Sequence, residues 1–354
     1  ETSFVEKWVG RLRRNTSVVT MGLKVSTAMM QPTAFTQAVN ELGFVPSMKG
    51  LAHFLAHPWR SVEFVNERSL AMRNRRRRWD REVADAYGKF NPAEFRGSRA
   101  VKDAFFGMMG FMDAMTAYPA WMAAYAKAME EHGWDEAKAC EYADMVVRRT
   151  QGAGGSPLDM ARVQHGSELK KTLTMFYSFY SVFWNQFVEI HARVGRGDAG
   201  VVDLFKCYWW VLVLPAVLGD WSHWGDYDDP EKALKRGGQA VAGYVLAGLP
   251  VLRDVVSPML TGYGYRFSPV SDAAEAPVDL WRAMQAKKDR PRKVAKAAIM
   301  AAGYFWGLPS RQAVIGMEGA LDLMQGRTDN PARLLFPAPK EEKGKKRMTY
   351  GGGK

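Results

Sequence analysis

Apolar residues recur every three or four positions along nearly the whole chain, and nowhere do they alternate strictly with polar ones over a strand's length. Such a chain must bury helix stripes against one another, so the expected fold is all-α, a multi-helix bundle-like array with Gly/Pro-rich hinges and short apolar helices. Hydrophobic residues make up 47% of the 354 positions and aromatics 12%, which excludes wholesale disorder. Cys140 and Cys207 are the only cysteines, so no disulfide scaffold holds the chain. They fit a reducing compartment or a thiol-poor assembly protein. No charged-then-apolar leader follows Glu1, and the sequence reads as a processed chain or a piece of a longer one.

Proline and glycine place the breaks. A first helix is expected over residues 16–30, and Pro32 then opens a helix that Gly43 stops. Short helices follow at 47–57 and from Pro58 into an arginine run. The segment 102–129 carries the densest aromatic and methionine content, and Pro119 should kink it or end it near Ala117. His132-Gly133 closes that segment, and 135–150 reads as a more polar helix with Ala137, Cys140, Ala143, Met145 and Val146 inward. Beyond a break at 150–157, helices are expected from Leu169, over 201–221, 237–252, 276–288, 292–306 and 310–324. Three parts result: 1–150 with the arginine-rich helix, 151–330 with the aromatic and apolar helices, and a flexible basic tail over 331–354. Gly152, Gly154 and Gly155 follow a helix rather than a strand and lack a P-loop Lys-Ser/Thr, so they read as a hinge and not as a phosphate cradle.

Lys and Arg number 49 against 37 Asp and Glu, a net charge of +12. That excess points to nucleic acid, anionic membrane or an acidic partner. The densest run is Arg73, Arg75, Arg76, Arg77 and Arg78, with Arg81 beyond it. Like charges at three- and four-residue spacing repel by a few tenths of a kcal/mol per pair, so the run reads either as a site for a counter-charge (phosphate, lipid headgroup or an acidic partner) or as a merely solvated helix face. Aromatic residues are not interleaved with the run, which argues against base-specific readout.

Two uncharged runs bear on membranes. One is 207–219, with Tyr208, Trp209, Trp210, Val211, Leu212 and Leu214; the other is 237–252, with Tyr244, Val245, Leu246 and Leu249. Thirteen and sixteen residues long, both contain proline and both fall short of the roughly 20 that a span requires. They suit either core helices of a soluble bundle or a shortened membrane hairpin around the acidic loop 226–231.

Catalytic chemistry finds no pattern to rest on. His53 and His57 share a helix face, but HFLAH lacks the glutamate of HExxH. The acidic loop lacks the spaced pattern of a calcium site, and Asp228-Asp229-Pro230 reads as a helix start. The expectation is therefore a protein that is not an enzyme and has no cofactor or metal.

Several segments resemble the helical domain associated with large polyvalent phage proteins, as in phage internal virion (ejection) proteins. They are MQPTAFTQA from Met30, MRNRRRRWD from Met72, WMAAYAKAMEEHGWDEAKACEYAD from Trp121, and VRRTQGAGGSPLDMARVQHGSELKKTLTMFYSFYSVFWNQ from Val147. Together they cover about residues 25–190. The resemblance implies an oligomeric component of the virion interior that is delivered with the genome into the host envelope. Its partners would be other copies of itself, sibling virion proteins, portal or core, genomic DNA bound non-specifically, and the host inner membrane. Rival readings are a dedicated inner-membrane hairpin protein and an accessory domain of a virion nucleic-acid enzyme such as an RNA polymerase.

Overall fold

Glycine, proline and small polar caps divide the chain where the sequence places them. The computed structural model describes residues 4–21, 31–77, 98–152, 166–173, 177–219, 229–247, 269–287 and 289–337, and no strand occurs among them. The helices are α1 (Phe4–Met21), a 3-10 turn (Gln31–Ala34), α2 (Phe35–Leu42), α3 (Phe44–Ala56), α4 (Pro58–Arg68) and α5 (Leu70–Arg77). Next come α6 (Ser98–Glu130), α7 (Glu136–Thr150), α8 (Glu168–Leu173), α9 (Tyr177–Arg196) and α10 (Val201–Gly219). The last are α11 (Pro230–Ala247), α12 (Pro269–Met284), α13 (Arg290–Trp306), α14 (Ser310–Met324) and a closing 3-10 turn (Pro331–Leu334). The protein is thus an all-α array of many helices.

The caps explain the boundaries. Gly43 takes φ 91° and its N–H donates to the Val39 carbonyl at 2.9 Å, ending α2. The Ser69 hydroxyl accepts from the Met72 N–H at 2.9 Å, which breaks what the sequence presents as one helix into α4 and α5. Asp135 accepts from the Lys138 N–H at 2.8 Å and starts α7. Several expectations shift, among them the starts of α11 and α12, which come at Pro230 and Pro269 rather than at 237 and 276. α1 begins at Phe4, well before residue 16, because its buried face includes Arg13, Asn15, Thr16 and Ser17, which an apolar periodicity does not register. α6 runs unbroken through Pro119, with Ala117, Tyr118, Ala120 and Trp121 all buried around it, so packing outweighs the lost backbone hydrogen bond. In α7 it is Ala139, Ala143, Val146 and Val147 that face inward, while Ala137 and Met145 face solvent.

The main core joins α2 through α7 around Trp121, which is 0% exposed. Tyr125 stacks on its ring at 5.2 Å, Phe64 meets it edge-on at 6.3 Å, and its indole N–H donates to Asp144 at 2.7 Å. Asp144 also accepts from the Ser69 hydroxyl at 2.5 Å, tying the α4–α5 corner to α7. α3 crosses α6 at Gly50, where an added Cβ would lie 2.6 Å from the Ala123 Cβ and 2.7 Å from the Pro119 carbonyl oxygen. Gly50→Ala should therefore push α3 off α6 and destabilise the fold by about 1–3 kcal/mol, as overpacking does, which urea unfolding followed by circular dichroism will read.

A second cluster gathers Val19 of α1, Ala273 and Ala276 of α12, and Tyr304 of α13. The Asn15 amide donates to the Tyr304 and Phe305 carbonyls at 2.6 and 2.9 Å, satisfying acceptors at the end of α13. α1 thus packs with helices far along the sequence, and Arg13 pairs with Glu168 of α8 at 3.0 Å. A third cluster, Phe183 and Ile190 of α9 with Cys207 and Val211 of α10, sits beside the main core. Its geometry concerns the apolar helix.

Candidate functional site

The run 207–219 is the C-terminal part of a longer helix. α10 extends back to Val201, because Asp203 accepts from the Gly200 N–H at 3.1 Å and starts the helix there. Its 19 residues give about 28 Å at 1.5 Å per residue, close to the thickness of a bilayer's hydrocarbon core. It is the one helix among the described residues long and apolar enough to cross a membrane, and only 28% of its apolar window is buried. Helices apolar all round normally lie inside a core or a bilayer. This one has cover on one side.

The middle of α10, Tyr208–Val213, is wound as π-helix, and the Leu214 N–H donates five residues back to Trp209. Pro215 follows at once and has no N–H for Val211, so the wider turn absorbs the missing bond. Val211, Leu212, Pro215 and Ala216 are buried, Leu214 is half-buried and Trp209 is exposed. Trp210 packs on the main core and stacks with Phe44 at 5.9 Å. The Tyr208 hydroxyl lies 3.1 Å from His191 Nε2. α11 packs along the second half of α10, and Tyr244 meets Phe183 at 5.4 Å, so parts of the two apolar runs are neighbours. Val245 is half-buried, Leu246 belongs to α11, and Leu249 lies outside the described residues.

Beneath α10, α9 is seated by polar contacts that periodicity alone does not reveal. The Gln186 amide N–H donates to the Gln37 side chain at 3.1 Å and to the Arg149 carbonyl at 3.2 Å, while its oxygen accepts from Asn40 at 3.1 Å. Arg149 pairs with Glu189 and, at 3.6 Å, with Glu41. Burial pushes the Glu41 carboxyl up; the Arg149 charge pulls it down and the Glu189 charge raises it again. Cys207 lies 4.0 Å from the Gln186 carbonyl, and burial pushes its thiol up to about 11, so it is inert as a nucleophile at neutral pH.

The arginine run divides. Arg73 donates to the Asn66 carbonyl at 2.9 and 2.7 Å, and Arg75 makes a two-pronged contact with Asp113 at 3.0 and 2.7 Å and reaches the Gly152 carbonyl at 2.9 Å. Arg75 thereby fastens α5 to α6 and to the chain leaving α7, so this member of the run has a structural partner within the fold. Arg76 and Arg77 complete α5, and Arg78, Arg81, Gly154 and Gly155 lie outside the described residues.

His53 and His57 face each other with ring centres 5.8 Å apart. Among the described residues no group of three or more His, Cys, Asp or Glu is placed to hold a metal ion. No family model, curated protein or solved structure matches this chain.

Proposed function

We propose that this chain is a non-enzymatic segment of a phage internal virion (ejection) protein. It oligomerises with itself and with sibling proteins in the particle, travels with the genome, and helps to line a DNA conduit across the host envelope. The observation that carries the reading is α10: a helix of bilayer length, apolar except for Asp203 and Lys206 in its first turns, held by a helical array that covers it only in part. An all-α chain without disulfides, broken by glycine and proline near 91–98, 150–157 and 257–269, suits passage through a narrow channel with later refolding from local contacts. The net charge of +12 suits packaged DNA and anionic lipid, without base readout. The resemblance over residues 25–190 supplies the virion context.

A dedicated inner-membrane hairpin is the second reading, favoured by the packing of α10 against α11. Quantitative mass spectrometry of purified particles, genome-filled beside genome-emptied, separates the two. Peptides from 147–186 should be abundant in filled particles and depleted in empty ones. Absence from both would remove the virion reading, and equal amounts in both would make the chain a resident structural component.

A further inference from the structure

The first two turns of α10 expose apolar side chains together. Positions 201, 202, 205 and 209 fall within about 100° of one helix face at 3.6 residues per turn. All four are exposed, Phe205 at 71% and Trp209 at 52%. Across the helix, Cys207 and Val211 are buried, with Leu204 packed beside them. The uncovered face therefore lies opposite the side that fastens α10 to α9.

Cations stand at the same corner. Arg193 and Arg196 end α9, the turn 197–200 brings the chain round, and Lys206 follows in α10. The two carboxylates of the corner offset part of that charge: Asp198 pairs with Arg196 at 2.9 Å, and Asp203 caps its own helix and meets Lys206 at 3.7 Å, so three cations stand against two anions and a net positive charge remains. An occupant must offer apolar cover and negative charge at once. A second copy meeting this face symmetrically would bring the same Arg193, Arg196 and Lys206 against it, whereas acyl chains beneath anionic headgroups supply both needs.

We infer that the α9–α10 corner is an interfacial anchor for anionic membranes. Val201, Val202, Phe205 and Trp209 enter the boundary between headgroups and acyl chains, and Arg193, Arg196 and Lys206 reach lipid phosphates while their stems lie along the apolar layer. The anchor works with the fold intact. It rests on reading α10 as the element that meets the membrane, and not on a virion origin.

Flotation of the full chain with phosphatidylcholine vesicles, with and without phosphatidylglycerol, tests the inference. Wild type should float with the anionic vesicles, and F205S/W209S should partition at least about tenfold more weakly with an unchanged circular dichroism spectrum, given the apolar area withdrawn. R193Q/R196Q should lose the preference for anionic vesicles, and W281S, an exposed tryptophan on α12, should behave as wild type. Should F205S/W209S misfold, a polarity-sensitive dye on V202C in a C140S/C207A background replaces it, with a blue shift expected on anionic vesicles. Equal flotation of F205S/W209S and wild type, or an unshifted dye on vesicles that carry the protein, overturns the anchor and leaves the membrane reading standing. Failure of wild type to float on either vesicle overturns both. A dimer that F205S/W209S dissolves, with no vesicle binding, assigns the face to a second copy and overturns the anchor.

Discussion

Trp121→Ala should cost about 3–5 kcal/mol of stability, the range for emptying a large buried aromatic site. Trp121 is 0% exposed, carries Tyr125 stacked on its ring, and donates to an Asp144 oxygen that Ser69 also uses. Removing it leaves a cavity where α4, α6 and α7 meet and takes one donor from Asp144. Trp121→Phe keeps most of the volume but not the indole N–H, and should cost less. Trp281→Ala, at an exposed position on α12, should stay within about 0.5 kcal/mol. Denaturant unfolding read by circular dichroism checks all three. A Trp121→Ala midpoint no lower than that of Trp281→Ala would mean that this cluster is not what holds the first half of the chain together.

Trp121 also marks where the sequence is most legible. It sits in the segment with the densest aromatic content, and the same three- and four-residue spacing that predicts helices there places Ala117, Ala124 and Ala128 on its buried side. Helix order, the stops at Gly43 and Gly133 and the starts at Pro58 and Asp135 follow from local chemistry, so they can be read without tertiary information. What is not legible depends on partners distant in sequence. Pro119 reads as a break because the packing that carries α6 past it comes from α3 and α7. Arg75 reads as one charge in a solvated run because Asp113 and Gly152 lie far along the chain. The Gln37–Gln186 contact has no apolar signature at all.

α10 shows the same limit at the candidate site. Counting uncharged residues stops at Lys206 and gives a run too short to span, but Lys206 and Asp203 sit in the first turns of a helix that carries on through them. A stripe that begins at Val201 and continues through Phe205 and Trp209 was available in the sequence as helical spacing. Only the fold shows that this stripe is the side left uncovered.

Glu168→Ala should be a costly charge removal, at about 3–5 kcal/mol, because it takes a hydrogen-bonded carboxylate away from a guanidinium that is almost fully buried. Arg13 is 2% exposed, and it meets Glu168 through both Nε and Nη2, at 3.1 and 3.0 Å. Gly10 admits this approach: a Cβ there would lie 2.9 Å from the Glu168 carboxylate. Burial alone would raise the Glu168 carboxyl, but the hydrogen bond from Lys171 and the charge and hydrogen bond of Arg13 more than offset it and hold it below its usual value. A carboxyl depressed in the folded state stabilises above its unfolded pKa, about 4.3, and that contribution is lost as pH falls through the lower folded value. Glu41, raised by burial, acts in the opposite sense and recovers stability on protonation. Thermal melts below pH 5 should therefore fall more steeply for wild type than for Glu168→Gln. The double variant Arg13→Met/Glu168→Leu should regain most of the loss, because it removes both desolvated charges together. If the double variant is instead as unstable as Glu168→Ala, the pair does more than neutralise itself: its directed hydrogen bonds, rather than charge balance, are what hold α8 on α1.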